Sequence, residues 1–273
     1  MKKNRHTPTA ATDAVVNQAD AGSLRAMLAE NRARNSSVKF NPITGEGAPG
    51  KRKRVEIKGL DPEVQYIPVA MAAEPIVAQL VRERSVEAYL KRLGVTPSGM
   101  EISRIADQWT RLRITYDFYY WAARFVKIKG KEGEITPFVL NAPQRRLVDG
   151  FEQMRLAGRP IRMVLLKARQ WGGSTATQLY MAWIQLVHRI GWNSLIIGHQ
   201  SSASAEVNGM FELMMEHYPA ELLYDPSGPV PDKIVKMANL HGTTSTRVVP
   251  LRKARIKLGT AERPQSVRGG DSS

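Results

Sequence analysis

The residue types with the clearest chemistry lie in IRMVLLKARQWGGST, residues 161 to 175. An apolar run, Ile161 to Leu166, reads as a strand. Lys167, Ala168, Arg169, Gln170, Trp171, Gly172 and Gly173 read as a glycine-containing loop. Ser174 and Thr175 then open a stretch with apolar residues at Leu179, Trp183, Leu186, Val187 and Ile190. Their steps of three and four residues predict a helix. Strand, loop and helix in that order are the setting of a phosphate-binding loop. The first N–H groups of a helix lack intrahelical partners and carry partial positive charge, so an anion such as a triphosphate satisfies them.

The match to G-x-x-x-x-G-K-[ST] is imperfect. With Ser174 on the final hydroxyl, Gly172 takes the second glycine's place, Gly173 stands where lysine belongs, and Lys167 stands on the first glycine. A lysine would have to reach the phosphates from the loop's opening residue, which its flexible four-carbon stem allows. Arg169 offers a second cation. Ser174 would hold Mg²⁺ through its hydroxyl, with Thr175 as the neighbour if the register is one residue off. The plainer reading is a strand-to-helix turn whose glycines serve packing.

Upstream, Gln144 falls just inside a helix start marked by Pro143. A Gln amide offers one acceptor and donors, a pair that fits the adenine edge, although a surface helix residue would look the same. After residue 175 no apolar run ends in the Asp or Asp-Glu that would hold Mg²⁺ and orient an attacking water. No set of strand-end carboxylates suggests a two-metal nuclease, and no Ser-His-Asp or zinc spacing stands out. The sequence reads as a nucleotide-binding half-site without its hydrolytic half.

The rest of the chain must position this loop. Its 273 residues hold 42% hydrophobic residues, enough for a sizeable core. Zero cysteines exclude disulfides and thiolate metal sites. No apolar run approaches the ~18 residues of a membrane span, and residues 1 to 30 lack a signal-peptide core. Net charge is +15, which favours a polyanionic partner, nucleic acid first. The charge is clustered: residues 1 to 60 hold 12 Lys/Arg against 5 Asp/Glu, and residues 247 to 268 hold 7 against 1.

Residues 1 to 62 read as a disordered basic arm, containing Lys51, Arg52, Lys53 and Arg54, which suit either phosphates or a solvated linker. A helical lead-in region spans 63 to 130. Its pattern predicts a helix over Pro75 to Leu93 and another from Ser98, where Glu101 completes a capping-box spacing, running on to Ala123. The aromatics Phe118 to Trp121 suit core better than base stacking. Residues 127 to 135 read as a charged hairpin and Pro143 to Gly158 as an amphipathic helix. Ser194 to Ile197 read as a strand ending near His199, followed by a helix carrying Phe211, Met214 and Met215. Two such strands joined by a helix imply a right-handed crossover and a parallel sheet. Residues 219 to 246 look loop-like. Lys253, Arg255 and Lys257 alternate with Ala254, Ile256 and Leu258, predicting a strand with one cationic face, a second candidate for DNA contact.

FVLNAPQRRL, LLKARQWGGST, SLIIGH and SVRGGD, in that order over residues 105 to 273, resemble the large terminase subunit of tailed bacteriophages. The resemblance implies an α/β fold for residues 131 to 273: a three-layer P-loop domain of the RecA-like (ASCE) class with a parallel sheet, incomplete at its C-terminus. It implies ATP and Mg²⁺ as cofactors, Gln144 as the adenine-motif glutamine, and Lys167 as a displaced phosphate-loop lysine. Arg169, Gly172 and Ser174 would complete the loop. It implies double-stranded DNA, a portal protein and a small terminase subunit as partners, DNA packaging as the activity, and the cytoplasm of a bacterial host as the setting, the gene being phage or prophage encoded. Arg268-Gly269 resembles the segment that leads into the acidic strand, so the chain reads as truncated before those acids and the nuclease. Two other readings compete. One is a helicase-like ATPase, against which the missing G-K-[ST] argues. The other is a basic DNA-binding or assembly protein with a vestigial P-loop.

Overall fold

Packing begins at Asn41, whose side-chain oxygen accepts the N–H groups of Ile43 (2.9 Å) and Thr44 (3.2 Å). That Asx-type turn starts a hairpin-like entry held by Tyr66 N–H to Thr44 O at 2.7 Å. Gly45 sits at φ 81°, and a Cβ there would lie 2.2 Å from the Tyr66 carbonyl oxygen, so only glycine fits. The computed structural model describes residues 25, 26, 29, 39–130, 132–166, 171–199, 201–243 and 245–261. The chain forms two compact units, residues 1–40 and 41–273. In the first unit, residues 25, 26 and 29 are helical and exposed. Residues 41–62 belong to the packed second unit, which corrects the expectation of an arm reaching residue 62.

In that unit β1 (Arg52–Glu56) pairs antiparallel with β2 (Val64–Pro68). Four helices follow: α1 (Val69–Ala72), α2 (Pro75–Glu83), α3 (Val86–Arg92) and α4 (Gly99–Tyr116). They close over a core that includes Ile57, Ile67, Met71, Leu80, Leu90 and Trp109. The expected Pro75–Leu93 helix is two helices. Arg84 turns left-handed (φ 56°), and Ser85 caps α3 by accepting the Ala88 N–H. Ser98 caps α4 by accepting the Glu101 N–H at 3.2 Å, as its spacing predicts. Helix α4 then breaks at Asp117, which caps α5 (Phe118–Phe125) through the Tyr120 N–H.

Asp117 is the centre of a buried ionic knot. Arg52 grips its carboxylate with two parallel bonds of 2.8 and 2.9 Å, and Arg113 adds a third of 3.0 Å. Gln65 accepts from both Arg113 and the Trp109 indole, and donates to the Pro62 carbonyl. The Arg113 guanidinium lies 4.3 Å from the Tyr120 ring centroid. Burial pushes the Asp117 carboxyl up, but the charges of Arg52 and Arg113 outweigh it and hold the group below the usual carboxylate range. One carboxylate serves two guanidinium groups. Burial dominates at Arg113 and lowers it, whereas Arg52, with both carboxylate oxygens, is raised. Arg52 is therefore structural, a correction to its place among the DNA-contact candidates.

The second half begins with the hairpin β3 (Lys127–Lys129) and β4 (Ile135–Pro137). Then come α6 (Ala142–Leu156) and α7 (Gly173–Trp183), the latter running into a π turn at Ile184–His188. After them lie β5 (Asn193–Gly198), α8 (Ser201–His217), β6 (Ala238–Asn239), β7 (Thr246–Val249) and β8 (Ala254–Thr260). The sheet order is β5-β8-β7-β6. Only β5 and β8 are parallel, with Asn193 opposite Arg255, so the sheet is mixed rather than parallel. Helix α8 packs against β3, β5 and β8, and α6 against α7. The aromatics Phe118, Trp121, Tyr180, Trp183 and Tyr218 are buried together, with Phe118 and Tyr180 ring centroids 5.3 Å apart. They are core, as their helical spacing suggests.

Ile161–Leu166 does not join the sheet. Val164 and Leu166 are fully exposed, at 100% and 101%, and no backbone group of residues 161–166 hydrogen-bonds to another described residue. Ile161, Met163 and Leu165 face a groove of 1110 Å³ shared with Leu147, Phe151 and Tyr180. The alternation is that of a strand, but no strand lies alongside among the described residues, and pairing is what makes a strand.

Two outcomes follow from the buried charges. Asp117→Asn strands two guanidinium groups and lowers unfolding free energy by roughly 3–5 kcal/mol in urea melts. At His188, burial and then the charges of Arg155, Arg189 and Arg252 push the imidazole from 6.5 down to about 4. The unfolded chain therefore takes up this proton first, and stability falls as pH drops from 6.5 towards 4 and is flat above. His188→Gln removes that part of the slope in denaturation curves measured across this window.

Candidate functional site

Helix α6 starts with a capping box. The Asn141 side-chain oxygen accepts the Gln144 N–H at 3.0 Å, and Gln144 Oε1 accepts the Asn141 N–H at 2.9 Å. Pro143 in the first turn lacks an N–H that would need a partner. The two side-chain amides also reach the loop before α7. Asn141 Nδ2 donates to the Trp171 carbonyl at 3.1 Å, and Gln144 Nε2 to the Gly172 carbonyl at 3.0 Å. Gln144 is buried, with both ends of its amide engaged. An adenine edge would compete with those bonds for the same atoms.

Gly172 is the N-cap of α7 and lies in the left-handed region, at φ 79°. Its carbonyl accepts the Ala176 N–H at 3.1 Å, the first bond of the helix. A Cβ on Gly172 would stand 2.4 Å from Gln144 Nε2, so the close approach of that amide requires glycine. Gly173 is covered by the Trp171 indole, whose ring carbons would lie 2.7–3.1 Å from a Cβ there. A side chain at 173 would displace the indole from that place. Ser174 is exposed on the first turn, Thr175 is half-buried, and Thr177 donates its hydroxyl to the Gly173 carbonyl at 2.9 Å.

Among the described residues no side chain caps the amino end of α7, and its first turn has no acidic residue. The turn thus keeps its partial positive charge and its capacity for an anion. Within that turn Ser174 carries an exposed hydroxyl and Thr175 a half-buried one. Lys167, Ala168, Arg169 and Gln170 lie outside the described residues, as do Arg268 and Gly269. Among the described residues no group of three His, Cys, Asp or Glu side chains could hold a metal ion. His199 is exposed just after β5.

The remaining cationic candidates separate into two places. Lys51, just before β1, and Lys53 and Arg54 within it are exposed, with Arg54 paired to Glu56 at 3.2 Å. Ala254, Ile256 and Leu258 are buried on β8, while Arg255 is exposed and Lys257 half-buried, the expected two-faced strand. Lys253 is exposed in a left-handed turn (φ 49°) before it. The residue missed in the sequence is Asn141. The N-x-x-Q spacing of Asn141 and Gln144 is its signal, a capping box ahead of an amphipathic run.

Gly172→Ala meets strain twice, from a left-handed backbone and from the Gln144 amide. It is expected to cost about 1–3 kcal/mol in denaturant unfolding. Gly172→Ala combined with Gln144→Ala recovers the part owed to the clash. No family model matches this chain, and no curated protein matches its sequence. Among the described residues no helix is long and apolar enough to cross a membrane.

Proposed function

We propose that this chain binds a nucleoside triphosphate, ATP with Mg²⁺, at the turn from Trp171 into α7, and that it is the nucleotide-binding portion of a DNA-packaging motor of the terminase large-subunit type. One observation carries the reading. A left-handed glycine opens a helix of 11 residues that no side chain caps among the described residues, and Lys167 and Arg169 precede that glycine in the sequence by five and three residues. The α7 amino end would take phosphate oxygens on the N–H groups of its first turn. Lys167 and Arg169 would supply cations, and Ser174 would add its hydroxyl to the Mg²⁺ shell. A cation held there would neutralise part of the phosphate charge.

Double-stranded DNA is the partner this reading expects, with a portal protein and a small terminase subunit as further partners. Exposed Lys51, Lys53 and Arg54 at β1, and Lys253 and Arg255 with half-buried Lys257 at β8, are suited to phosphate contacts. Such contacts add affinity without sequence preference. A second reading is favoured by the backbone of Ile161–Leu166, unpaired among the described residues: a basic DNA-binding protein in which the turn no longer binds nucleotide.

Titration of a fluorescent ATP analogue with Mg²⁺ separates the two. Saturable binding is expected, weakened on the order of tenfold or more by Lys167→Ala through loss of one charge-assisted contact. Absence of binding at millimolar ligand, beside duplex-DNA affinity that falls steeply with salt, supports the second reading instead.

A further inference from the structure

A helix cap needs only oxygen atoms, and the caps on α6 use the oxygens of Asn141 and Gln144. Their NH₂ groups are free for another purpose, and both go to consecutive carbonyls some 30 and 28 residues away, those of Trp171 and Gly172. In a planar trans peptide the C=O and the following N–H point in opposite directions. Holding the Trp171 carbonyl towards α6 therefore turns the Gly172 N–H away from it, and the Gly172 carbonyl, shared between Gln144 Nε2 and the Ala176 N–H, fixes the Gly173 N–H in the same way. Gly172 is left-handed and Gly173 helical, the succession that makes adjacent N–H groups converge on an anion.

We propose that Asn141 and Gln144 are positioning residues: their side-chain amides set the direction of the Gly172 and Gly173 N–H groups for a polyphosphate. This rests on the nucleotide reading above, but it gives Gln144 a task other than recognising the base. The amide of Gln144 acts on the loop backbone, and its effect is blind to the identity of the nucleoside.

Two neutral variants test it. Asn141→Thr keeps an N-cap oxygen and lacks the long amide donor. Gln144→Met keeps length and lacks the NH₂ group. Affinities for ATP, GTP and inorganic tripolyphosphate are measured by calorimetry with Mg²⁺, and amide hydrogen exchange is followed over residues 172–176. The expected result is an equal loss for all three ligands, on the order of tenfold, with faster exchange confined to that turn. Unchanged affinities in both variants overturn the proposal. A loss for ATP alone, sparing GTP and tripolyphosphate, overturns it in favour of adenine recognition by Gln144. If the unaltered chain binds none of the three, the nucleotide reading fails and exchange alone decides: unaltered exchange at 172–176 in both variants overturns the positioning role, and faster exchange there supports it.

Discussion

The Asp117 carboxylate is the contact on which the arrangement of the second unit depends. It ends α4, caps α5 and receives two guanidinium groups from different parts of the chain. Arg52 reaches it from β1 across 65 residues, so the hairpin of the helical region is fastened to the helix pair that leads into the second half. A carboxylate without exposure would be costly alone, and guanidinium groups beside it would be costly without it. Each makes the other tolerable, which confines β1, α4 and α5 to one mutual geometry. Aromatic packing then extends that geometry: Trp183 donates its indole N–H to the Ile114 carbonyl at 2.8 Å, and Trp121 donates to the Tyr218 hydroxyl at 3.0 Å. Through these bonds the end of α7 and the end of α8 are both referred to α4 and α5.

Polar side chains are used in a similar way nearer the loop. Gln178 on α7 donates to the Val207 carbonyl of α8, and Gln185 donates to the carbonyls of Trp192 and Arg255. Both are buried, so α7 is located against α8 and the start of the sheet by directional bonds as well as by apolar contact. Asn141 and Gln144 do the same at its amino end. The helix that follows the glycine turn is thus fixed at both ends by amide side chains. Amides suit that role because their NH₂ groups donate directionally to backbone carbonyls without a charge to desolvate.

Much of this was legible in the residues. The spacing of Ser98 and Glu101 marks the start of α4, and the alternation from Lys253 to Leu258 marks β8 with its faces correctly assigned. Local rules suffice there because a cap and an alternating pattern are decided within a few residues. They fail where a distant partner decides. Nothing local tells Arg52 from Lys51 and Lys53, because Asp117, which buries it, is 65 residues away. The break at Asp117 interrupts an apolar period that runs smoothly through it, since the acid gains more from capping α5 and holding two arginines than from continuing a helix. Arg84 divides α2 from α3 for a related reason: Ser85 is a good cap, and the apolar period is indifferent to a turn beside it. The glycines at 172 and 173 were legible as a turn. That one accommodates an amide and the other an indole depends on α6 and Trp171, and no spacing rule conveys it.

The stretch from Ile161 to Leu166 differs from its surroundings in having backbone unpaired among the described residues and two fully exposed aliphatic side chains. An endoprotease binds its substrate as an extended segment whose N–H and C=O groups are available to its own cleft. Here such a segment is already presented, with exposed Arg162 inside it, between two helices that are otherwise well secured. Between α6 and the glycine turn the chain is accordingly open to cleavage. A cut there would leave the Asp117 knot whole while severing the covalent connection between the amides that hold the turn and the turn itself.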